Sequence, residues 1–119
     1  MGFALSRQQR ETAMATTLLN DPILVRFRQA LDALYGNRLD RVVLFGSRAL
    51  GEARPDSDYD VAVFLKDLPD RWAEVERLAR LHLDFLVDDA FIDAKPYPAT
   101  AYLERTPLMR EIRREGVEL

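Results

Sequence analysis

One stretch constrains this chain more than any other: residues 42–64, VVLFGSRALGEARPDSDYDVAVF. It opens on an unbroken apolar run, Val42 to Phe45, that stops abruptly at Gly46-Ser47. It then crosses a polar loop and enters a second apolar run through Asp58 and Asp60. Continuous apolar runs of this length read as strands covered on both faces. Gly46 has no Cβ, so an anion can come up to its amide and to that of Ser47. Asp58 and Asp60 are two residues apart, which on a strand puts both carboxylates on one face, with Tyr59 and Val61 on the other. Two carboxylates side by side repel each other unless a cation lies between them. Oxygen ligands of this kind suit Mg²⁺, which takes one or two protein carboxylates and completes its shell with water and substrate phosphate.

Gly46-Ser47, a ten-residue spacer and Asp58-x-Asp60 resemble the signature of the DNA polymerase β-like nucleotidyltransferases. The fuller wording, Leu44-Phe45-Gly46-Ser47-Arg48-Ala49, Gly51-Glu52 and Ser57-Asp58-Tyr59-Asp60, is similar to the minimal nucleotidyltransferase (MNT) branch. The resemblance implies an α+β fold of the polymerase β-like core: a small mixed sheet of about three to five strands with helices packed mainly on one face. It extends over residues 21–119, with residues 1–20 as an N-terminal extension.

Composition agrees with one domain of 119 residues, nearly half of them apolar. The formal charge of −3 argues against direct nucleic-acid binding, which needs a basic surface, but a nucleotide needs only a few local donors. Cysteine is absent, which removes disulfides, thiolate metal sites and a cysteine nucleophile. No run has the length of a membrane span and the N-terminus lacks a signal peptide's apolar core, so a cytoplasmic protein is the expectation.

Along the rest of the chain, Ser6 and Gln9 have the spacing of a capping box, making residues 1–20 either a short helix or a mobile end. Asp21-Pro22 predicts a helix start with Ile23, Phe27, Ala30, Leu31 and Leu34 as its buried stripe, stopping at Tyr35-Gly36-Asn37. Strands are expected over 41–45 and 60–65, and the turn at 47–51 adds amides to an anion site. Arg48 and Arg54 are candidates for phosphate contact, with solvated loop arginines as the plainer alternative. A helix from Asp70 to about Val87 is expected to bury Trp72, Val75, Leu78, Ala79, His82 or Leu83, and Leu86. His82 is the only histidine, so no histidine pair or triad exists. A third strand over 91–98 ends in prolines, which places it at a sheet margin. Thr106-Pro107 starts a last helix that buries Leu108, Met109 and Ile112 and ends at Gly116, with a short edge strand over 117–119. Arg110, Arg113 and Arg114 suit the negative end of that helix.

The resemblance also implies a mechanism. A strand beside the Asp-x-Asp strand carries a third carboxylate in this family, and Asp93 occupies the matching place in the order of elements, with Asp84, Asp88 and Asp89 as rivals. The site residues implied are Asp58, Asp60 and Asp93 for Mg²⁺ and catalysis, and Gly46, Ser47 and Arg48 for the nucleotide. With Asp93 a second metal can bind, about 3.5–4 Å from the first. An acceptor hydroxyl attacks the α-phosphate of ATP and pyrophosphate leaves. Proteins of this size in the MNT branch resemble antitoxins paired with HEPN-domain ribonuclease toxins, which implies AMP transfer to a tyrosine of that partner. Two alternatives stay open: an antitoxin that neutralises by binding alone, and an antibiotic nucleotidyltransferase, for whose extra drug-binding helices the chain lacks room.

Overall fold

The computed structural model describes residues 4–119, so the first three residues of the 1–20 extension lie outside it. Ser6 and Gln9 do form a reciprocal capping box, each side chain bonded to the other's amide at 3.1 and 2.8 Å. That box opens helix α1 (Arg7–Leu19), which buries no residue completely. Met14, Ala15 and Leu18 are half-buried, and α1 lies against the motif turn closely enough that a Cβ on Gly51 would meet Met14 Sδ at 2.8 Å. Among the described residues no helix is long and apolar enough to cross a membrane.

Helix α2 (Pro22–Tyr35) begins as its sequence predicts, with Asp21 capping the amide of Ile23 and proline in the first turn. Its buried stripe is Leu24, Phe27, Leu31 and Tyr35, one residue round from the expected set. Leu34 faces solvent and Ile23 is half-buried. The difference comes from Tyr35, which closes the core as well as the helix because its hydroxyl has a buried partner in Glu74 at 2.9 Å.

Four strands follow: β1 (Leu39–Phe45), β2 (Tyr59–Leu65), β3 (Ile92–Pro98) and β4 (Val117–Glu118), in sheet order β3-β2-β1-β4. β1 is antiparallel to β2 and β4, while β2 and β3 are parallel. A parallel neighbour needs a crossover, supplied here by helix α3 (Arg71–Leu83). Pro96 and Pro98 are tolerated because β3 is an edge strand.

Alternation along the strands feeds two cores. Val42, Leu44, Tyr59, Val61, Val63, Leu65 and Ile92 face α2 and α3. Val43, Ala62 and Phe64 face the other way, onto Ala101 of a 3-10 turn (Ala99–Leu103) and onto Met109 and Ile112 of helix α4 (Pro107–Glu115). The mixed sheet with helices weighted to one face therefore holds, α4 being the helix on the second face. Thr106 caps α4, Gly116 ends it, and β4 forms the expected edge.

Helix α3 departs most from its sequence reading. It ends at Leu83, followed by a 3-10 turn over Leu86–Asp88 and by Asp89 in a left-handed conformation (φ 54°). Its buried residues are Glu74 and Leu78, whereas Trp72 is 75% exposed. The helix carries apolar residues on two faces, and periodicity cannot say which one meets the sheet. Glu74 is the single buried charge among the described residues. Burial is tolerated because Tyr35 Oη, Arg38 and Arg77 all donate to it, at 2.9, 3.2 and 3.1 Å.

Removing that carboxylate strands the buried Tyr35 hydroxyl, while Arg38 keeps its pair with Asp67 and Arg77 reaches solvent. Glu74→Ala is expected to lower stability by about 2 kcal/mol, a fall of roughly 8 °C in Tm. Thermal unfolding followed by circular dichroism measures it, and a loss under about 0.5 kcal/mol would show that the network contributes little.

Candidate active site

The two cores also explain where a site can form. Asp60 lies on the same face of β2 as Ala62 and Phe64, which α4 and the 3-10 turn cover. That cover thins at the start of the strand, so Asp60 is only half-buried and Asp58, one residue before β2, is exposed. The apolar alternation runs out where the carboxylates stand.

The neighbouring strands bring the other pieces to this end of the sheet. Phe45, the last residue of β1, pairs with Asp60, so the turn at Gly46 begins beside the carboxylate. Gly46 has φ 74°, a conformation that side chains disfavour. A Cβ there would run into Asp60 Oδ2. The glycine is therefore required twice, by its backbone angle and by the carboxylate above it. The turn closes with Ala49 and Leu50 both bonded to the Gly46 carbonyl at 3.1 and 3.3 Å. Among the described residues, the amides of Ser47 and Arg48 find no acceptor in the turn, which leaves two donors at its mouth.

On the other side, Asp93 of β3 is the register partner of Asp60. Parallel partners project to the same face from strands about 4.8 Å apart. Lys95, two residues along the same face, approaches Asp93 Oδ2 at 3.6 Å. The rival carboxylates lie elsewhere: Asp88 pairs with Arg26 at 2.6 Å, and Asp84 and Asp89 are exposed on the turn after α3. His82 accepts the Ile92 amide at its Nδ1 (3.0 Å), a packing role in keeping with a lone histidine.

Electrostatics mark Asp60 out. Its carboxyl is raised above the usual range, first by burial and then by the charges of Asp93 and Asp58, with Lys95 opposing and Glu111 of α4 adding a little. Glu111 was not singled out by the sequence, since its place opposite the site depends on how α4 docks. Among the described residues no three histidine, cysteine or acidic side chains converge closely enough to hold an ion unaided. Mutual repulsion and the exposure of Asp58 and Asp93 account for that spread. The donors nonetheless fit a hard divalent cation: all are carboxylate oxygens, Asp60 and Asp93 share a face, and Asp60 sits in a hollow that any side chain at position 46 would fill.

Arg48, expected among the phosphate contacts, points to the loop instead. Its Nε and one terminal nitrogen donate to the Ser57 carbonyl at 2.9 and 2.7 Å. Arg54 is exposed in the same loop. A cleft of about 480 Å³ lies on the far side of the turn, walled by Arg7, Met14, Leu50 and Arg114 among others, and none of the three carboxylates lines it.

Residues 24–108 match the family model described as "Nucleotidyltransferase domain". The chain is 30% identical over 98 residues to the "Putative protein adenylyltransferase MJ0141" of Methanocaldococcus jannaschii, covering 82% of this chain and 95% of that protein. It also resembles a mutant of the toxin–antitoxin MntA-HpeT in crystal form (TM-score 0.52, 22% identity, 78% of this chain and 69% of that one). A crystal structure of a toxin–antitoxin with AMP-PNP is similar too (TM-score 0.51, 25% identity, 76% and 67%).

Two predictions follow from this geometry. Asp60→Asn removes a charge that the fold disfavours, so in chelator at pH 7.5 it should raise Tm by about 2 °C, a small gain because Asp60 is only half-buried and water screens its neighbours. Because the folded pKa lies above the unfolded value of about 3.9, the wild-type penalty is full above the folded pKa and fades as pH falls through it. The two melting curves should then converge towards pH 4. A variant less stable than wild type at pH 7.5 would contradict the account. Gly46→Ala, by contrast, should lose several degrees of Tm in the same assay, because the methyl meets both a disfavoured φ and Asp60.

Proposed function

The chain belongs to the nucleotidyltransferase domain family, and from that premise we propose that it transfers AMP from ATP, with Mg²⁺, to a tyrosine hydroxyl of a cognate HEPN-domain toxin. In this reading residues 21–119 are the catalytic domain, residues 1–20 an extension, and the pair acts in the cytoplasm. The observation that carries it is the placing of Asp60 between the Gly46 turn and Asp93. The curated relative named as a protein adenylyltransferase supports a protein acceptor. The toxin–antitoxin solved with AMP-PNP supports both a toxin partner and an adenine nucleotide.

The chain's own groups divide the work. The Ser47 and Arg48 amides receive phosphate oxygens, and Gly46 lets the triphosphate approach the backbone. Asp58, Asp60 and Asp93 would hold Mg²⁺, which neutralises phosphate charge and steadies the leaving pyrophosphate. The acceptor hydroxyl oxygen forms a bond to the α-phosphorus as the α–β bridging bond breaks. Asp93, half-exposed and steadied by Lys95, takes the hydroxyl proton. No covalent enzyme intermediate is needed, and positioning with electrostatics supplies the rate.

The test weighs the intact toxin partner by mass spectrometry after incubation with this protein, ATP and Mg²⁺. An adenylate-sized gain is expected, reduced at least about 100-fold when Asp58→Ala and Asp60→Ala are combined. No gain, with the toxin still silenced by both proteins, would make this an antitoxin that acts by binding.

A further inference from the structure

The loop that delivers Asp58 has an unusual problem. Residues 52–56 are all exposed, and apart from the bonds of the Arg48 side chain, three bonds tie residues 52–57 among the described residues: Glu52 N to Ser47 O, Ser57 N to Arg54 O, and Arg54 N to Ser57 Oγ. At its end it must present Asp58 close enough to Asp60 for its charge to help raise the Asp60 carboxyl. Where Asp58 stands therefore depends on what holds Ser57 from outside the loop.

The geometry points to a brace of three residues, Arg48, Tyr59 and Asp21, and we propose that Arg48 is a positioning residue for Asp58 through it. The Arg48 guanidinium grips the carbonyl of Ser57, the residue before Asp58, twice and reaches the Pro55 carbonyl at 3.4 Å. Its Cζ lies 3.9 Å from the centre of the Tyr59 ring, so the plane is fixed from below as well as along its edge. Tyr59 is 6% exposed and donates its hydroxyl to Asp21 Oδ2 at 2.8 Å. Asp21 is itself pinned, because its other oxygen caps α2 at the Ile23 amide. The brace thus runs from the start of α2, under the motif turn, to the residue before Asp58. It couples the anion-binding turn, on which Arg48 itself sits, to the metal-binding loop.

A lysine at position 48 keeps the charge but cannot grip two carbonyls while stacking on a ring. That separates a brace from a phosphate contact. Hydrogen exchange at the Glu52 and Ser57 amides is compared in wild type, Arg48→Lys and Tyr59→Phe, with circular dichroism to confirm folding. Alongside it, the half-saturating Mg²⁺ and the KM for ATP are measured in the transfer assay. A brace predicts faster exchange in both variants, half-saturating Mg²⁺ raised roughly 10-fold in Arg48→Lys, and KM for ATP within about 2-fold of wild type. Wild-type exchange in Arg48→Lys would overturn it, as would a raised KM for ATP with loop exchange unchanged. The kinetic arm rests on the transfer reading above. The exchange arm does not, so a wild-type protein without transferase activity would remove that reading and leave the brace to be judged by exchange alone.

Discussion

The repulsion among three carboxylates at one end of an otherwise apolar sheet is the constraint on which the rest of this structure depends. β2 is the most enclosed strand of the fold, buried from Val61 to Leu65 on both faces, and Asp60 stands where that enclosure gives way. A residue further in, the charge would have no route to solvent. A residue further out, it would lose its strand partners at Phe45 and Asp93. The helices that cover the sheet therefore stop short at this end, and the glycine that follows β1 leaves room for the carboxylate. Hydrophobic burial in two cores holds Asp60 at the edge of the apolar sheet, where its charge is disfavoured by burial and by its acidic neighbours.

A second charged site shows the opposite solution. Glu74 is more deeply buried than Asp60, yet it meets a hydroxyl and two guanidinium groups and is fully partnered. Asp60 feels three further carboxylates, Asp93, Asp58 and Glu111, against one lysine, and its carboxyl is raised. The contrast separates two ways of burying charge. At Glu74 the protein supplies all the counter-charge; at Asp60 it leaves a deficit, which in the function proposed above a cation would fill.

Much of this was legible in the chain. Gly46-Ser47 and Asp58-x-Asp60 lie on the ends of runs whose strand character follows from apolar continuity, and the caps at Ser6, Asp21, Asp70 and Thr106 all form. The family resemblance, with the order of elements, pointed to Asp93 on the strand beside Asp60, and the register sets the two opposite each other. What sequence could not show was the choice among equally apolar helix faces. Trp72 was expected inside and lies outside, because the sheet meets the face that carries Glu74, and a carboxylate is not a periodicity signal. Tyr35 read as a helix stop because its core role depends on Glu74, 39 residues away. Arg48 read as a phosphate ligand because its side chain's direction depends on where the following loop returns. In each case the missing information was a contact distant in sequence or set by side-chain direction.

The parallel pairing of β2 with β3 has a consequence for the life of the molecule. Asp58 and Asp60 come from the same hairpin as the Gly46 turn, but Asp93 arrives 33 residues after Asp60, by way of a helix and an edge strand (93 − 60). An outer strand is bonded along one edge only, and local openings can occur below the free energy of global unfolding. An opening that released β3 would keep the Gly46 turn, Asp58 and Asp60 together and take Asp93 from beside them. On the function proposed above, transfer would then stop in a partial, reversible opening.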